Sequence, residues 1–234
     1  MKAMILAAGR GERMRPLTDS LPKPLLKVGG KSLIVWHIER LVAAGFKELV
    51  INHAYLGQTI EQALGDGNQW DCHIEYSAEA SALETAGGIA NALPLLGDAP
   101  FLVVNADVFC EIDFLHLTHA LNKPNLAHLV MVNNPPQHTE GDFALQAHQL
   151  NSDGEEKLTF SGIGVYSPIL FQQIKKGDTA KLAPLLKQAM TNGLVTGEHF
   201  QGVWHDIGTP QRLHEIDVRL RTANHLHDHG KNVH

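Results

Sequence analysis

The chain has little cysteine, no long apolar run and no excess of positive charge. Its two cysteines, Cys72 and Cys110, cannot form a disulfide framework and do not lie in a metal-binding spacing. We interpret both as core thiols in a reducing compartment. No stretch is long and apolar enough to span a membrane, and the order of basic, apolar and small residues typical of a signal peptide is missing. These absences predict a cytoplasmic protein with no membrane partner.

The distribution of charge argues against a nucleic-acid partner. The formal net charge is −6, whereas proteins that bind nucleic acids usually present a basic surface. Residues 1–27 carry six bases against two acids, a net +4, so the remainder of the chain carries −10. One positive patch on an acidic body suits a small polyanion better than a DNA backbone.

Length and composition predict a single domain. The 234 residues are 44% hydrophobic and 19% charged, as in ordinary globular proteins. No repeat or linker divides the chain, so we expect one domain over residues 1–224. The lack of an assembly extension weakly favours a monomer. Residues 225–234 are polar, and we expect a flexible tail there. A metal site is the alternative interpretation of its histidines, which are His225, His227, His229 and His234.

Strand-like and helix-like segments alternate through the first 132 residues. Continuous apolar runs predict strands at residues 4–6, 49–51, 74–77, 101–104 and 129–132. Helices are predicted at residues 33–44, 57–64, 86–93 and 114–121, with Ser32 as an N-cap and Gly45 as a stop. This alternation predicts an α/β fold with a Rossmann-like, mainly parallel (mixed) sheet flanked by helices.

The pattern changes after residue 142. Strand-like runs at residues 143–150 and 158–166 surround the Asp153-Gly154 turn and predict a small antiparallel extension. Helices at residues 169–174 and 182–190 follow, and then a hairpin joining residues 194–198 to 200–204. Thr209 and Pro210 begin a last helix, whose apolar residues Leu213, Ile216 and Leu220 share one face.

A glycine-rich turn follows the first predicted strand. Gly9 and Gly11 can adopt positive φ and allow a ligand close to the backbone, so successive N–H groups can form an anion-binding nest. Four bases surround this turn, namely Arg10, Arg13, Arg15 and Lys23. The arrangement predicts a polyphosphate site, with an ordinary surface turn as the alternative.

Two common phosphate-binding loops do not fit. The P-loop ends in Gly-Lys-Ser/Thr, whereas Gly11 is followed by Glu12 and Arg13. The dinucleotide fingerprint needs a third glycine, and Met14 occupies that position. The dinucleotide fingerprint also opens directly into a helix, whereas Pro16, Pro22 and Pro24 are expected to keep this chain extended.

Residues 6–16, LAAGRGERMRP, and the downstream Pro22-Lys23-Pro24-Leu25 resemble the signature of sugar-1-phosphate nucleotidylyltransferases. The resemblance covers nearly the whole chain. It implies a nucleotidyltransferase fold of the GT-A-like type. It also implies a reaction in which an NTP and a sugar 1-phosphate give an NDP-sugar and pyrophosphate, with Mg²⁺ as cofactor.

Two aspartates are predicted to hold the metal. Asp107 follows a strand, where ligands of open α/β sheets bind, and Mg²⁺ typically takes one or two carboxylates plus substrate oxygens. A turn element that bonds its own backbone is the alternative for Asp107. Residues 204–209, WHDIGT, resemble the second metal motif of the family, which makes Asp206 the second ligand; a cap of the following helix is the alternative. By the same resemblance, Asn105 contacts the sugar phosphate.

Further glycine-containing segments resemble the base and sugar contacts of the family. Gly87 and Gly88 belong to LETAGG at residues 83–88, and a plain helix start is the alternative there. Gly141 and Gly162 match segments whose main chain contacts sugar hydroxyls. Glu156 resembles a glutamate near the sugar in many relatives, although the match is weak and a solvated charge run in a turn is the favoured interpretation.

The resemblance assigns roles to the opening loop. We expect Arg15 and the amides of residues 9–13 to hold the β and γ phosphates, and Lys23 to hold the α-phosphate together with the sugar phosphate. Arg15 and Lys23 are the predicted catalytic residues. The predicted nucleotide-binding residues are Leu6, Ala7, Ala8, Gly9, Gly11, Glu12, Arg13, Lys23, Gly87 and Gly88.

The combination of residues 51–57, 83–88 and 141–143 resembles small bacterial N-acetylmuramate 1-phosphate uridylyltransferases. It predicts UTP and N-acetylmuramate 1-phosphate as substrates and UDP-N-acetylmuramic acid as a product of peptidoglycan recycling. Mannose-1-phosphate guanylyltransferase and glucose-1-phosphate thymidylyl- or uridylyltransferase are alternatives. A non-catalytic nucleotide-sugar sensor is the alternative of another class, disfavoured because all four of Arg15, Lys23, Asp107 and Asp206 are retained.

Overall fold

The computed structural model of the protein describes the backbone of residues 1–230 and the side chains of residues 1–222. The strands are β1 (Ala3–Leu6), β2 (Lys27–Val28), β3 (Lys31–Ser32), β4 (Glu48–His53), β5 (His73–Ala78), β6 (Phe101–Asn105), β7 (Val108–Cys110), β8 (Ala127–Val132), β9 (Phe143–Gln146), β10 (Gln149–Asn151), β11 (Lys157–Tyr166), β12 (Val195–His199) and β13 (Trp204–Asp206). The α-helices are α1 (Leu33–Ala43), α2 (Gly57–Leu64), α3 (Glu84–Leu96), α4 (Phe114–Leu117), α5 (Leu182–Thr191) and α6 (Pro210–Gly230).

Nine of these strands form one mixed sheet in the order β5-β4-β1-β6-β11-β8-β12-β10-β9. β5, β4, β1 and β6 are parallel neighbours, and β11 runs antiparallel between β6 and β8. The predicted α/β class with a mixed sheet is therefore confirmed. β7 pairs with β13 in a separate two-stranded ribbon beside the carboxyl end of β6.

Helices cover both faces of the sheet because successive strand residues point to opposite sides. Ile5 packs in a core cluster with Ile34 and Ile38 of α1, whereas its neighbour Met4 packs in a second cluster with Ile89 of α3. α1 ends where predicted, since Gly45 follows with φ 90°. The parallel strands read as continuous apolar runs because both of their faces are buried.

The second half of the chain differs from the predictions in its pairing. The run 143–150 is broken into β9 and β10, because Ala147 adopts a left-handed conformation with φ 54°. The expected antiparallel extension is continuous with the main sheet, since β11 lies at its centre. The predicted hairpin of residues 194–204 is wrong, because β12 pairs with β8 and β10 while β13 pairs with β7.

Three predicted helices have other bounds. α3 continues through Pro94 to Leu96, α4 stops at Leu117, and the segment predicted at 169–174 is a short 3-10 turn at Pro168–Phe171. The opening loop also differs, since 3-10 turns form at Glu12–Met14 and Lys23–Leu25 where extended chain was expected. Single turns of this kind tolerate the prolines because their first N–H groups need no partner.

The last helix packs as its apolar spacing predicts. Ile216 is buried, and Leu213 and Leu220 contact the same cluster. The backbone of α6 continues to Gly230, so the expected tail begins inside this helix, and residues 231–234 lie outside the described part. The tail's flexibility and its histidine metal site stay predictions. No helix among the described residues has the length and apolarity needed to cross a membrane.

Candidate functional site

A cavity of about 450 Å³ opens at the carboxyl ends of β1 and β6. Ten of its lining residues were predicted from the sequence, namely Leu6, Ala7, Ala8, Gly9, Gly11, Glu12, Arg13, Lys23, Asn105 and Asp107. The others are Met14, Pro24, Asn52, Glu79, residues 82–85, Ala106 and Gly208. We refer to it as the loop cavity, because the loop after β1 forms one of its walls.

The loop after β1 is attached to the main sheet by a hydrogen bond. The Ala7 N–H donates to Asn52 Oδ1 at the end of β4, over 2.8 Å. Gly11 has φ 70°, and a Cβ there would lie 3.1 Å from Lys23 Cβ and from Thr18 Cγ2. Gly9 does not show the positive φ that was predicted for it; it is exposed, and no atom would lie within 4 Å of a Cβ at that position. The close approach is therefore made at Gly11.

Lys23 lines the loop cavity and forms an ion pair with Asp107. Its Nζ donates to Asp107 Oδ2 over 2.6 Å, with the lysine side chain 9% exposed and the aspartate 37% exposed. The 3-10 turn at Lys23–Leu25 fixes the start of this side chain. The lysine is therefore the more buried partner of this pair.

Asp206 stands beside Asp107 across the β7–β13 ribbon. It lies opposite Val108, and the Ile207 N–H donates to the carbonyl oxygen of Asp107 over 2.9 Å. Its own Oδ2 accepts a hydrogen bond from Arg212 Nη1 at 2.5 Å. Asp206 is not among the residues that line the cavity, whereas Gly208 is.

The donor set fits magnesium. Mg²⁺ commonly binds through one or two carboxylates and takes its remaining ligands from substrate phosphates and water. Asp107, in the turn just before β7, and Asp206, at the end of β13, supply two carboxylates at adjoining positions. Among residues 1–222 no group of three or more His, Cys, Asp or Glu side chains could hold a metal. A cation here would therefore depend on oxygens that the substrates bring.

The two predicted arginines lie in different places. Arg13 lines the cavity, and its guanidinium packs over Gly208, where a Cβ would lie 3.3 Å from Nη1 and Nη2. Arg15 does not line the cavity; its Nε lies 3.0 Å from Asp19 Oδ1 and 3.4 Å from Glu12 Oε2. The structure thus brings Arg13 to the site and leaves Arg15, predicted as catalytic, paired on the surface.

Gly87 and Gly88 are buried in helix packing and are not among the residues that line the cavity, and their contact with the base stays a prediction. A Cβ on Gly87 would lie 2.3 Å from the Asp178 carbonyl oxygen, and one on Gly88 would lie 2.7 Å from Glu79 Oε1. The Gly87 N–H already donates to the Ala180 carbonyl oxygen. Residues 83–85 of the same motif face the cavity instead.

Asn52 and Glu79 line the site but were not among the predicted site residues. Asn52 Nδ2 donates to Glu79 Oε1 over 2.6 Å, and Glu79 Oε2 accepts from the Leu83 N–H over 2.9 Å. Together with the Ala7–Asn52 bond, this buried chain links two walls of the cavity. Their signal was available, because both follow or end a parallel strand at the edge where ligands of such sheets bind.

A second cavity of about 390 Å³ adjoins the first. Four residues line both, namely Leu6, Glu84, Thr85 and Asn105. Its remaining lining residues are Val103, Asp142, Phe143, Phe160, Gly162, Tyr166, Lys181, Leu182, Ala183 and Leu186. We refer to it as the strand cavity, because β11 supplies part of its wall. It brings together Asn105 and Gly162, two of the four residues predicted to contact the sugar.

The other two predicted sugar contacts lie away from this cavity. Gly141 has φ 65° and packs against the backbone of Lys157, while its neighbours Asp142 and Phe143 line the cavity. Glu156 is exposed in the turn before β11 and lines neither cavity. The solvated charge run, the alternative for Glu156, matches its exposure.

Gly162 is shaped by its contact with Asn105. It has φ 79°, and a Cβ there would lie 2.5 Å from Asn105 Nδ2. A side chain at this position would therefore displace the amide that lines both cavities. The same strand anchors β13, since Trp204 Nε1 donates to the Ser161 carbonyl oxygen over 3.0 Å.

His37 supports the segment that carries Asp107. Its Nε2 lies 2.7 Å from the Val108 carbonyl oxygen. Burial lowers its pKa to about 4, although the hydrogen bond to Val108 opposes this effect. Because a carbonyl oxygen can only accept, the neutral ring carries its hydrogen on Nε2.

Comparison with known proteins agrees with this geometry. The family model described as Nucleotidyl transferase matches residues 2–223. The N-acetylmuramate alpha-1-phosphate uridylyltransferase of Neisseria meningitidis serogroup B is 55% identical over 225 residues, which are 93% of this chain and 97% of that protein. A protein of the same description from Caulobacter vibrioides is 34% identical over 237 residues, covering 94% and 97%.

The fold is also found among solved structures. A putative glucose-1-phosphate thymidylyltransferase from Bacillus anthracis superposes with a TM-score of 0.82, covering 94% of this chain and 95% of that one. Its sequence is 20% identical, so the likeness is one of fold.

Proposed function

The chain belongs to the nucleotidyl transferase family, and from this premise we propose that it joins UTP to N-acetylmuramate 1-phosphate. The products are UDP-N-acetylmuramic acid and pyrophosphate. We further propose that Mg²⁺ is required and that the enzyme works as a cytoplasmic monomer in peptidoglycan recycling.

One observation carries the proposal. The loop cavity and the strand cavity adjoin and share four lining residues, as a reaction between two bound substrates requires. A nucleotide fits the first, because the loop amides, Arg13 and Lys23 surround it with donors and positive charge. The sugar fits the second, whose wall includes the aromatic rings of Phe143, Phe160 and Tyr166.

The reaction needs no covalent nucleophile from the protein. An oxygen of the sugar phosphate, already ionised at neutral pH, attacks the α-phosphorus of the nucleotide in line. The bond from that phosphorus to the bridging oxygen breaks, and pyrophosphate leaves with the electron pair. Orientation and charge neutralisation are then the protein's main contributions, as in other phosphoryl transfers.

The described residues divide these tasks. We assign the β and γ phosphates to the loop amides and Arg13. Lys23 lines the loop cavity beside Asp107, where its ammonium group can neutralise the α-phosphate and the incoming sugar phosphate together. Asn105, which lines both cavities, is placed to orient the sugar phosphate between them.

Asp107 and Asp206 are the residues that would hold Mg²⁺. Bound there, the cation neutralises and orients phosphate oxygens. Each carboxylate pairs with a base in the structure, Asp107 with Lys23 and Asp206 with Arg212.

The substrate assignment rests on the relatives. The protein that is 55% identical over nearly its whole length is described as an N-acetylmuramate alpha-1-phosphate uridylyltransferase, and the strand cavity offers a lysine for an acidic sugar. These two points support the choice of sugar and base.

The test is pyrophosphate release measured over a grid of NTPs and sugar 1-phosphates. The grid includes N-acetylmuramate, mannose and glucose 1-phosphates, with and without EDTA. We expect highest turnover for UTP with N-acetylmuramate 1-phosphate, abolished by EDTA. Highest turnover with another pair would refute the substrate assignment. No turnover in any pair by folded protein would favour a non-catalytic nucleotide-sugar sensor.

A further inference from the structure

The strand cavity contains one basic residue among its lining side chains. That residue is Lys181, and the acidic residues of the lining are Asp142 and Glu84. A neutral sugar needs no cation beyond those that hold its phosphate. The presence of a lysine here therefore asks for a separate explanation.

Asp142 does not account for this lysine. Its Oδ2 accepts a hydrogen bond from the Phe160 N–H over 2.8 Å, and its Oδ1 lies 3.1 Å from His138 Nε2. Among residues with described side chains, no carboxylate lies within 4.0 Å of the Lys181 Nζ. Lys181 is an exposed residue of the cavity lining, so its ammonium group can meet an anion that enters the cavity.

The backbone before Lys181 is held firmly against α3. The Ala180 N–H donates to the Leu83 carbonyl oxygen over 3.0 Å, and the Ala180 carbonyl oxygen accepts from the N–H groups of Ala86 and Gly87. Gly87 permits this approach, since a Cβ there would lie 2.3 Å from the Asp178 carbonyl oxygen. On the other side, Leu182 is buried in the core. Lys181 therefore starts from a fixed position at the cavity rim.

We propose that Lys181 is a specificity residue that pairs with a carboxylate carried by the sugar. The ligand class is an acidic sugar 1-phosphate, and the proposal rests on the proposed function for its choice of sugar. N-acetylmuramate is N-acetylglucosamine with a lactyl ether on O3, so the two 1-phosphates differ by one carboxylate-bearing group. Lys181 distinguishes them by charge, while the phosphate common to both is bound at Lys23.

A charge-assisted hydrogen bond at a partly exposed site discriminates by about 10- to 100-fold. We expect this factor in KM rather than in kcat, because Lys181 lies away from the reacting phosphates. Arginine at this position would keep the charge, whereas methionine would keep the aliphatic stem and lose it.

The experiment compares kcat and KM for N-acetylmuramate 1-phosphate and N-acetylglucosamine 1-phosphate, each with UTP. Lys181→Met is expected to raise KM for the first by about 10- to 100-fold and to leave the second unchanged. Lys181→Arg is expected to retain most of the preference. Lys187→Met is the matched control, because Lys187 is an exposed lysine of α5, the helix that directly follows Lys181, and lines neither cavity.

Two results would overturn the proposal. One is an equal change for both sugars in folded Lys181→Met, and the other is no change for either. If the wild-type protein does not turn over N-acetylmuramate 1-phosphate, the proposed function is wrong. Calorimetric titration of the same two sugar 1-phosphates into wild-type protein and Lys181→Met then decides the role of Lys181, and equal affinities would reject it.

Discussion

Lys23 and Asp107 lie 84 positions apart in the chain, yet the lysine Nζ is 2.6 Å from the aspartate Oδ2. The pair joins the segment after the glycine-rich loop to the end of β6. It also sets a base and a carboxylate side by side in the wall of the loop cavity.

Replacing Lys23 by alanine should lower kcat by about 10²–10³-fold, the usual cost of removing one donor that stabilises developing charge. Steady-state pyrophosphate release measures the effect. Lys27→Ala is the control, because Lys27 is exposed on β2 and lines neither cavity. Near-normal turnover by a folded Lys23→Ala protein would reject the catalytic role.

Arg13 and Arg15 should respond differently to the same substitution. Arg13→Ala removes a guanidinium that lines the loop cavity, so we expect KM for the NTP to rise by about 10-fold or more. Arg15→Ala breaks exposed ion pairs with Glu12 and Asp19 and should change KM far less. The reverse order would show that the sequence-based role of Arg15 is the better one.

Asp206→Asn should raise the Mg²⁺ concentration needed for half-maximal activity. Mutation of a residue that only orients a metal ligand typically weakens metal affinity by roughly 10-fold. Loss of a direct ligand should weaken it by at least that much. Asp113→Asn is the control, since Asp113 caps α4 through the Leu115 N–H and asparagine caps as well. An unchanged Mg²⁺ titration of Asp206→Asn would remove Asp206 from the ligand set.

Gly162→Ala should impair sugar binding through Asn105. The new Cβ would lie 2.5 Å from Asn105 Nδ2, so KM for the sugar 1-phosphate should rise. Gly177→Ala is the matched control, because Gly177 also has positive φ, at 88°, but no atom would lie within 4 Å of its Cβ. Both should destabilise by about 1–3 kcal/mol from backbone strain, and only the first should change KM.

The free energy of unfolding should fall as the pH is lowered from 6.5 to about 4. His37 has its pKa lowered to about 4 by burial, against an ordinary value of 6.5. Between these values the unfolded chain binds a proton that the native state does not, so acid favours unfolding by up to about 3 kcal/mol. Above pH 7 this group contributes no pH dependence.

Urea unfolding at several pH values tests this effect. His37→Gln retains an N–H donor for the Val108 carbonyl oxygen but does not titrate, so its stability should fall less steeply between pH 6.5 and 4. Parallel curves for the two proteins would show that His37 does not contribute to the pH dependence.

The parts of the site that the sequence predicted are local ones. The loop at residues 6–13 and the aspartate after β6 follow from a strand, a turn and a charge that are close in the chain. Lys181 could not be found in this way, because hydrogen bonds between Ala180 and α3 place it at the site, and only the tertiary fold creates them. Glu79 could have been found, since it directly follows the parallel strand β5. Asn52 was within reach, since it ends a parallel strand.

The errors in the fold have the same origin. Residues 194–204 look like a hairpin locally, but β12 finds β8 and β13 finds β7, and these distant partners decide the pairing. Gly87 and Gly88 were assigned to ligand contact because glycine allows close approach, and that contact stays a prediction. The neighbours that approach are protein groups, the Asp178 carbonyl and the Glu79 carboxylate.

The four residues common to both cavities also limit how the enzyme can change its substrates. If the nucleotide and the sugar occupy the two cavities as proposed, a substitution at Glu84, Thr85 or Asn105 alters the surroundings of both substrates, so adaptation to a new sugar by that route would disturb the choice of base. Lys181 and Phe160 line only the strand cavity, so their substitution would leave the surroundings of the nucleotide unchanged. Divergence of sugar preference, in evolution or by engineering, should therefore concentrate there.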